Sequence, residues 1–415
     1  MKNTLYFAIA LLFNVSIAYS QTIDGTFNEP RVIRPAKIYS IKVLPDHKVL
    51  IGGNLSFLKA EKVNNLIRLN HDNTLDKSFK FSADKQLIIR KVGFLSTGDI
   101  IVLADFEKEA DVSTDSCALF RLGPDGGIKN RIDTLINCNS FAIQNDDKIL
   151  VCSRSMSHPG LTRHLYRYNS DFSRDVTFNK RVTSNDQIMD IKVHNNSIYI
   201  CGPFSMVNDT LEKNITRLKI NGSVDTSFNI GTGTSDYLPS MTIQSDGKIL
   251  LGETFINAFN GKQYHGLIRL NPNGSVDSGF NPPALNSPSS EITYRDSSIY
   301  LAEHAPADGP ILIKLNYDGS VNTHYAKVKL DAFSFSNFNI GFAGDTAIFN
   351  NSTTTGSKYG LSACNSGGQY ISSFKPEISR YGDITVGNSF NDKLLIAGDF
   401  MKVNEFETFV IAMLD

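Results

Sequence analysis

The stretch Asp246-Gly-Lys-Ile-Leu-Leu-Gly252 is a polar turn, then a short apolar run, then a small residue. It returns as Asp46-His-Lys-Val-Leu-Ile-Gly52, Asp146-Asp-Lys-Ile-Leu-Val-Cys152, Asn195-Asn-Ser-Ile-Tyr-Ile-Cys201 and Asp392-Lys-Leu-Leu-Ile-Ala-Gly398. β-Branched residues behind such a turn read as a hairpin feeding a buried strand. The first apolar residue of that strand recurs at Val49, Ile100, Ile149, Ile198, Ile249, Ile299, Ala347 and Leu394, at intervals of 47 to 51 residues. Eight copies at so even a period, built from strands, point to a β-propeller.

Working outward, copy five supplies every part of the unit. Leu238–Gln244 is a first strand, Ile249–Gly252 a second, Gly266–Asn271 a third and Ser275–Phe280 a fourth, with a polar link at Asn257–Tyr264. The expectation is an all-β fold of four-stranded antiparallel blades. No segment of ten or more residues carries a 3.6-residue apolar period, so no helix is expected. The Asn-Gly and Asp-Gly pairs predict type I′ hairpin turns.

Two polar positions repeat with the strands. The third strand carries Arg68, Arg121, Arg167, Arg217, Arg269 or Lys314, one per copy. These read as solvated or inter-blade salt-bridging residues, or as a ring that binds anions. The fourth segment carries Asp76/Phe79, Asp175/Phe178, Asp225/Phe228 and Asp277/Phe280. Each pairs a turn-bonding carboxylate with a core-facing ring. Calcium is the competing reading, but the dense alternation of oxygen ligands in a dedicated loop is missing.

The two ends complement each other. Phe409–Leu414 matches a third strand, so copy eight lacks its fourth. Ile23-Asp-Gly-Thr-Phe-Asn28 matches Val224-Asp-Thr-Ser-Phe-Asn229 position by position. The N-terminal strand is therefore expected to complete the last blade and close a ring, which hides two sheet edges. The spacing gives eight blades; seven is the alternative if one of the degenerate copies two, six or seven is merged.

Composition bounds the rest. The chain has 415 residues, a formal net charge of −1, 41% apolar residues and no Trp. That balance gives no reason to expect nucleic acid. Met1–Ser20 has a basic start at Lys2, an apolar run from Leu5 to Ala18 and small residues before Gln21, the pattern of a signal peptide cut near Ser20. The remainder, residues 21–415, is expected to be a single propeller domain, monomeric, without a transmembrane segment, and secreted or periplasmic. Cys117, Cys138, Cys152, Cys201 and Cys364 are an odd set without zinc spacing. They read as small buried hydrophobes, with Cys117–Cys138 as the one disulfide to consider.

Motifs that carry chemistry are scarce in the chain. There is no nucleophile elbow, Walker motif or dinucleotide fingerprint. The His residues are scattered; His158/His164 and Glu303/His304/Asp308 are the two groups in irregular links. No catalytic, cofactor-binding or metal residue is assigned, and no cofactor is expected.

On the Asp-Gly-Lys-Ile-Leu strand, the Gly-x-Phe that follows it (Gly202-Pro-Phe204, Gly398-Asp-Phe400), the Arg-Leu-Asn strand and the Asn-Gly-Ser-x-Asp-x-x-Phe segment, the chain resembles the delta-60 repeat family of bacterial β-propeller domains. The resemblance spans Thr22–Asp415 and implies the fold and an exported setting, with no catalytic residues to carry over. The expected function is a non-catalytic binding or scaffolding module in the periplasm, at the cell surface or in the medium, its partner an unknown protein or glycan of the cell envelope. The alternative is a propeller hydrolase or lactonase with its site at the central channel.

Overall fold

The computed structural model describes residues 32–414 except 60, 84–86, 107–115, 154–162, 179–181, 235–237, 239, 253–257, 286–291, 306–307, 331–337, 351–360, 375, 377, 382, 391–392, 400–401, 404–405 and 408–410; from residue 380 onward only the backbone course is described. The expected signal peptide, the Ile23–Asn28 strand, His158, Phe400 and Phe409 lie outside the described residues. No helix occurs among those described.

Each copy is a meander with its most apolar strand in the middle. In copy one, Val49–Asn54 pairs antiparallel with Lys37–Val43 on one side and Leu66–Leu69 on the other. Copy five repeats this with Ile249–Gly252 between Thr242–Ile243 and Leu267–Leu270. The first turn is not of type I′. Leu44 N–H donates to Lys48 O and His47 N–H to Leu44 O. Only the last loop residue has positive φ: His47 62°, Gly98 82°, Asp147 61°, Gly247 83°. The loop holds three residues, so the chain makes a type I turn closed by one left-handed residue. Consecutive positive φ values occur where the loop shortens to two, at Asn195/Asn196 and Asp296/Ser297.

The fourth strand is shorter than its repeat pattern predicts. Copy two has a long one, Ile128–Ile136. In copies three and six it resumes after a single bridge as Val182–Ser184 and Val328–Lys329, and in copies one, four and five it is reduced to the bridges Leu69↔Leu75, Leu218↔Val224 and Leu270↔Val276. The Asp explains why. Asp76 Oδ1 accepts from Ser78 N–H at 3.0 Å and Ser78 Oγ at 2.6 Å, and Phe79 N–H donates back to Asp76 O. A carboxylate that bonds its own backbone two residues on offers the chain a turn in place of a ladder.

Alternating side chains of the middle strand feed opposite neighbours. Val49 and Ile51 join one apolar cluster, Leu50 the next. Among the described residues there are seven such clusters, each shared between two copies. Leu50 and Leu66 of copy one meet Ile89 and Val102 of copy two. Ala302 and Leu312 of copy six meet Phe338 and Phe349 of copy seven. Ile38 and Ile51 of copy one meet Ile348 and Leu361 of copy seven.

The segment leaving each blade marks its neighbour. Ser184, after copy three, bridges Val207 in the link hairpin of copy four. Thr234, after copy four, bridges Phe259 in that of copy five. Ile378, after copy seven, pairs with Leu58 of copy one. Val207, Phe259 and Leu58 hold one repeat position. The copy-eight residue there, Val403, pairs with Val32 of the N-terminal strand Val32–Pro35, whose other edge pairs with Ile378–Tyr381.

One glycine is demanded by this packing. Gly274 has φ +92°, and a Cβ there would stand 2.7 Å from the carbonyl carbon and oxygen of Asn229. Asn229 N–H donates to Asn273 O across the same interface, from copy four to copy five. Gly274→Ala is expected to cost about 1–3 kcal/mol through strain at positive φ and this clash. Chemical denaturation reads it out; an unchanged midpoint would refute the assignment.

Candidate functional site

The repeated charges are used to join blades. Arg68 Nε donates to Asp76 Oδ2 at 2.7 Å, and its Nη1 to Pro124 O in copy two at 2.7 Å. The pattern recurs four more times, with Nη1 of Arg121, Arg167, Arg217 and Arg269 donating to the carbonyls of Ser170, Ile220, Pro272 and Tyr317 in the following copy. Guanidinium planes of Arg68, Arg167, Arg217 and Arg269 also lie over the Asp-x-x-Phe rings. Lys48, Lys148 and Lys248 complete the group by pairing with Asp76, Asp175 and Asp277. Copy two keeps the same triad with the charges exchanged: Asp99 stands where the lysine would be and Lys129 where the aspartate would be, 2.7 Å apart. Of the two sequence readings of the arginines, the salt-bridging one describes these contacts.

Burial opposes the charge on Asp76, but hydrogen bonds from Lys48, Ser78 and Arg68 hold its carboxyl far below the ordinary range. Asp175 is held down in the same way by Thr177, Lys148 and Arg167. A carboxyl lowered in the folded state contributes stability above its unfolded value near 3.9 and loses it as pH falls through the folded value. Stability is therefore expected to be flat from neutrality to about pH 5 and to fall steeply below pH 4. Urea midpoints measured across that window test it, and a decline that begins above pH 6 would contradict it.

A different set of polar residues lies on the first strands, which pack against one another from copy to copy. Four of these strands slip register by one residue, just before Ser40, Lys91, Ser140 and Val386. Such a bulge re-aims the side chain that follows. The equivalent positions are Asp190 in copy four, Ser240 in copy five, Glu291 in copy six (outside the described residues) and Asn339 in copy seven. Copies two to five converge there. Lys91 Nζ donates to Ser140 Oγ at 2.6 Å, and Ser140 Oγ donates to Asp190 Oδ1 at 2.9 Å. Lys91 Nζ is 3.6 Å from that same oxygen, and Lys192 Nζ is 2.8 Å from Asp190 Oδ2. The backbone N–H of Met241 in copy five approaches Asp190 Oδ2 at 3.5 Å.

Electrostatics here is crowded. Burial, then the charge of Lys192, pushes Lys91 down to about 8; Asp190 pulls it up and Lys42 pushes it further down. Burial disfavours charge on Asp190, but Lys192 and Lys91 hold it down to about 2. The Lys91 side chain is hemmed in by protein yet keeps 29% of its surface. Sequence reading assigned none of these residues, because none belongs to a repeat motif. The available signal was a departure: Lys91 and Asp190 stand where copies one, three and five have Ser.

Of the two groups singled out from sequence, His158 and the His304 side chain lie outside the described residues. His47 and His71 meet edge to face between two exposed turns, and His194 bonds Asn195. His164 stacks on Tyr166, while Asp308 pairs with Lys327 on the surface. Among the described residues no group of three or more His, Cys, Asp or Glu is placed to hold a metal ion. The five cysteines are buried and free. Cys138 N–H donates to Cys117 Sγ at 3.2 Å, and the hydrogen bond between the two thiols together with burial raises Cys138 far above its ordinary range.

Three stretches, residues 44–79, 195–228 and 244–280, match the family described as "Domain of unknown function (DUF5122) beta-propeller". They fall in copies one, four and five. This chain carries β-propeller repeats. Solved structures agree with a propeller. The crystal structure of the computationally designed Ika8 protein matches with a TM-score of 0.51 at 9% identity, covering 92% of this chain and 99% of that one. Puromycin hydrolase matches with a TM-score of 0.51 at 11% identity, covering 88% of this chain and 58% of the hydrolase. At such identities the likeness concerns the propeller fold alone, and this chain spans little more than half of the hydrolase. No curated protein sequence matches the chain. No helix among the described residues is long and apolar enough to cross a membrane.

Proposed function

We propose that the protein is a non-catalytic binding module exported from the cytoplasm, acting as a monomer on a protein or glycan of the cell envelope. The export reading rests on Met1–Ser20 and on the motif resemblance to the delta-60 repeats. One observation carries the preference for binding over catalysis. Ser140, whose hydroxyl accepts from the Lys91 ammonium, is 3% exposed and donates its proton to Asp190. A nucleophile so enclosed has no room for an acyl carbon at attack distance. The repeated arginines and aspartates are occupied in joining blades, which leaves the links and the first-strand cluster for recognition. The test is an envelope-protein and glycan binding screen beside a panel of esters and lactones. Retention of one partner without turnover supports the proposal; turnover abolished by Ser140→Ala would replace it with the hydrolase reading, which the 2.6 Å Lys91–Ser140 contact favours.

The ring reading belongs with this proposal. Seven apolar clusters link copies one to seven in order and copy seven to copy one, and the Ile378↔Leu58 pairing repeats what Ser184↔Val207 does between copies three and four. These contacts favour the seven-bladed alternative, with copy eight outside the ring beside the N-terminal strand.

A further inference from the structure

We propose that Cys117 and Cys138 are a modification site: they close to one disulfide that staples copy two to copy three when the chain meets an oxidising pool of small disulfides. Where that meeting takes place rests on the exported reading; the pairing itself rests on the fold. Three observations carry it. First, the backbone brings the two residues together and holds them. In copy two, Cys117 stands between Asp105 on one side and Leu135 on the other. Asn137, with φ 54°, turns the chain, and Cys138 opens the first strand of copy three opposite Ser153. Second, the two are in contact although 21 residues apart. Cys138 N–H donates to Cys117 Sγ at 3.2 Å, which keeps the Cys138 α-carbon within about 5 Å of that sulfur. Disulfides join residues whose backbones are this close, and cannot join distant ones without moving the chain. Both side chains belong to the cluster shared by copies two and three. Third, the other cysteines are committed elsewhere. Cys152 Sγ donates to Ser140 O at 3.1 Å, Cys364 Sγ lies 3.0 Å from the Tyr325 hydroxyl, and Cys201 is fully buried in the cluster of copies four and five. The odd set of five therefore resolves into one pair and three thiols that stay free.

The chemistry is thiol–disulfide exchange. The Cys138 thiolate attacks one sulfur of oxidised glutathione and expels one glutathione thiolate. The Cys117 thiolate attacks the Cys138 sulfur of that mixed disulfide and expels the second. Two protein thiols are oxidised, one external disulfide is reduced, and the two thiol protons end on the two glutathiones. Cys138 is the entry point, being 7% exposed where Cys117 has no exposed surface. Its hydrogen bond with Cys117, and then burial, disfavour its thiolate. Exchange in the folded chain is therefore slow and quickens as the joint between the two copies opens. Once made, the bond removes conformations from the unfolded chain and so adds stability.

The experiment incubates the reduced full-length chain with oxidised glutathione at pH 8, with and without sub-denaturing urea. The chain is acid-quenched, alkylated in denaturant and digested for mass spectrometry. One bond per chain is expected, joining the Cys117 and Cys138 peptides, with Cys152, Cys201 and Cys364 alkylated and faster pairing in urea. The oxidised chain should unfold at higher urea than the reduced one, a difference that vanishes in Cys138→Ser. Cys152→Ser, in another cluster, should pair as wild type does. Where Cys138→Ser does not fold, the two wild-type forms still give the comparison. Five alkylated cysteines under both conditions, a different pair, or equal urea midpoints for the two wild-type forms overturn the inference. Failure of the exported reading looks different: the pair closes in the tube, while the chain recovered from cells keeps Met1–Ser20 and five reduced thiols.

Discussion

Replacing Arg269 with alanine is expected to cost about 3–5 kcal/mol of unfolding free energy, the range for removing one partner of a buried ion pair. Arg269 is 2% exposed. Its Nε donates to Asp277 at 2.7 Å, its Nη1 to Tyr317 O, and its guanidinium lies between the rings of Phe280 and Tyr317, 4.4 and 4.5 Å from their centroids. Alanine leaves Asp277 with Lys248 and the Gly279 N–H, and strips a part-buried carbonyl of its donor. It also opens a slot between two aromatic rings at the junction of copies five and six. Lysine should recover only part of the loss, since a point charge cannot reach carboxylate and carbonyl together. Arg217→Ala provides the comparison. There the carboxylate of Asp225, the Pro272 carbonyl and the single ring of Phe228 are contacted by a side chain 14% exposed, so water can replace some of these contacts and the cost should be smaller. Urea unfolding of the three variants orders these effects, and an Arg269→Ala midpoint equal to wild type would remove the inter-blade role.

The repeat period made most of the fold legible in advance. A turn, a β-branched run and a small residue recur because each middle strand must be dry on both sides, and such strands read as uninterrupted apolar runs. The turn geometry was less legible. Asp246-Gly247 has the composition of a two-residue loop, but hydrogen bonding sets the loop at three residues, and Asp147 or His47 serves where Gly247 does. The fourth segment misled for a related reason. Its alternation looks like a strand, yet the aspartate's bonds to its own backbone end the ladder after one bridge. Copy two looked degenerate because motif reading follows residue identity, whereas Asp99 and Lys129 preserve the interaction with the signs exchanged. The first-strand cluster was least legible. Its members lie about fifty residues apart and become neighbours only when successive blades pack, and their local context is that of any half-buried strand.

Ending the chain after Tyr381 is expected to leave a folded monomer with nearly unchanged melting temperature. On the seven-bladed reading each described cluster, drawing on residues from Ala36 to Ile378, is shared within copies one to seven and survives the cut. Ile378 and Ser379 remain to pair with Leu58 and Phe57, and Asn350 Nδ2 still donates to Ile38 O at 3.3 Å. A ring of eight makes the opposite demand. There copy eight would stand between copies seven and one, Ile378 would meet Val403, and Val32 would meet Leu58. Removing it would expose two apolar blade faces and two sheet edges, and the product would aggregate or melt far lower. Leu361→Ala sharpens the comparison. Leu361 is fully buried in the cluster shared by copies seven and one, and its loss should cost about 2–5 kcal/mol in either the full chain or the shortened one. Deleting Thr22–Asn28 is a second probe: a ring of eight closed by that segment would open, whereas a ring of seven keeps its melting temperature. A truncated chain that aggregates, together with a Leu361→Ala effect confined to the full chain, would move the closure to copy eight.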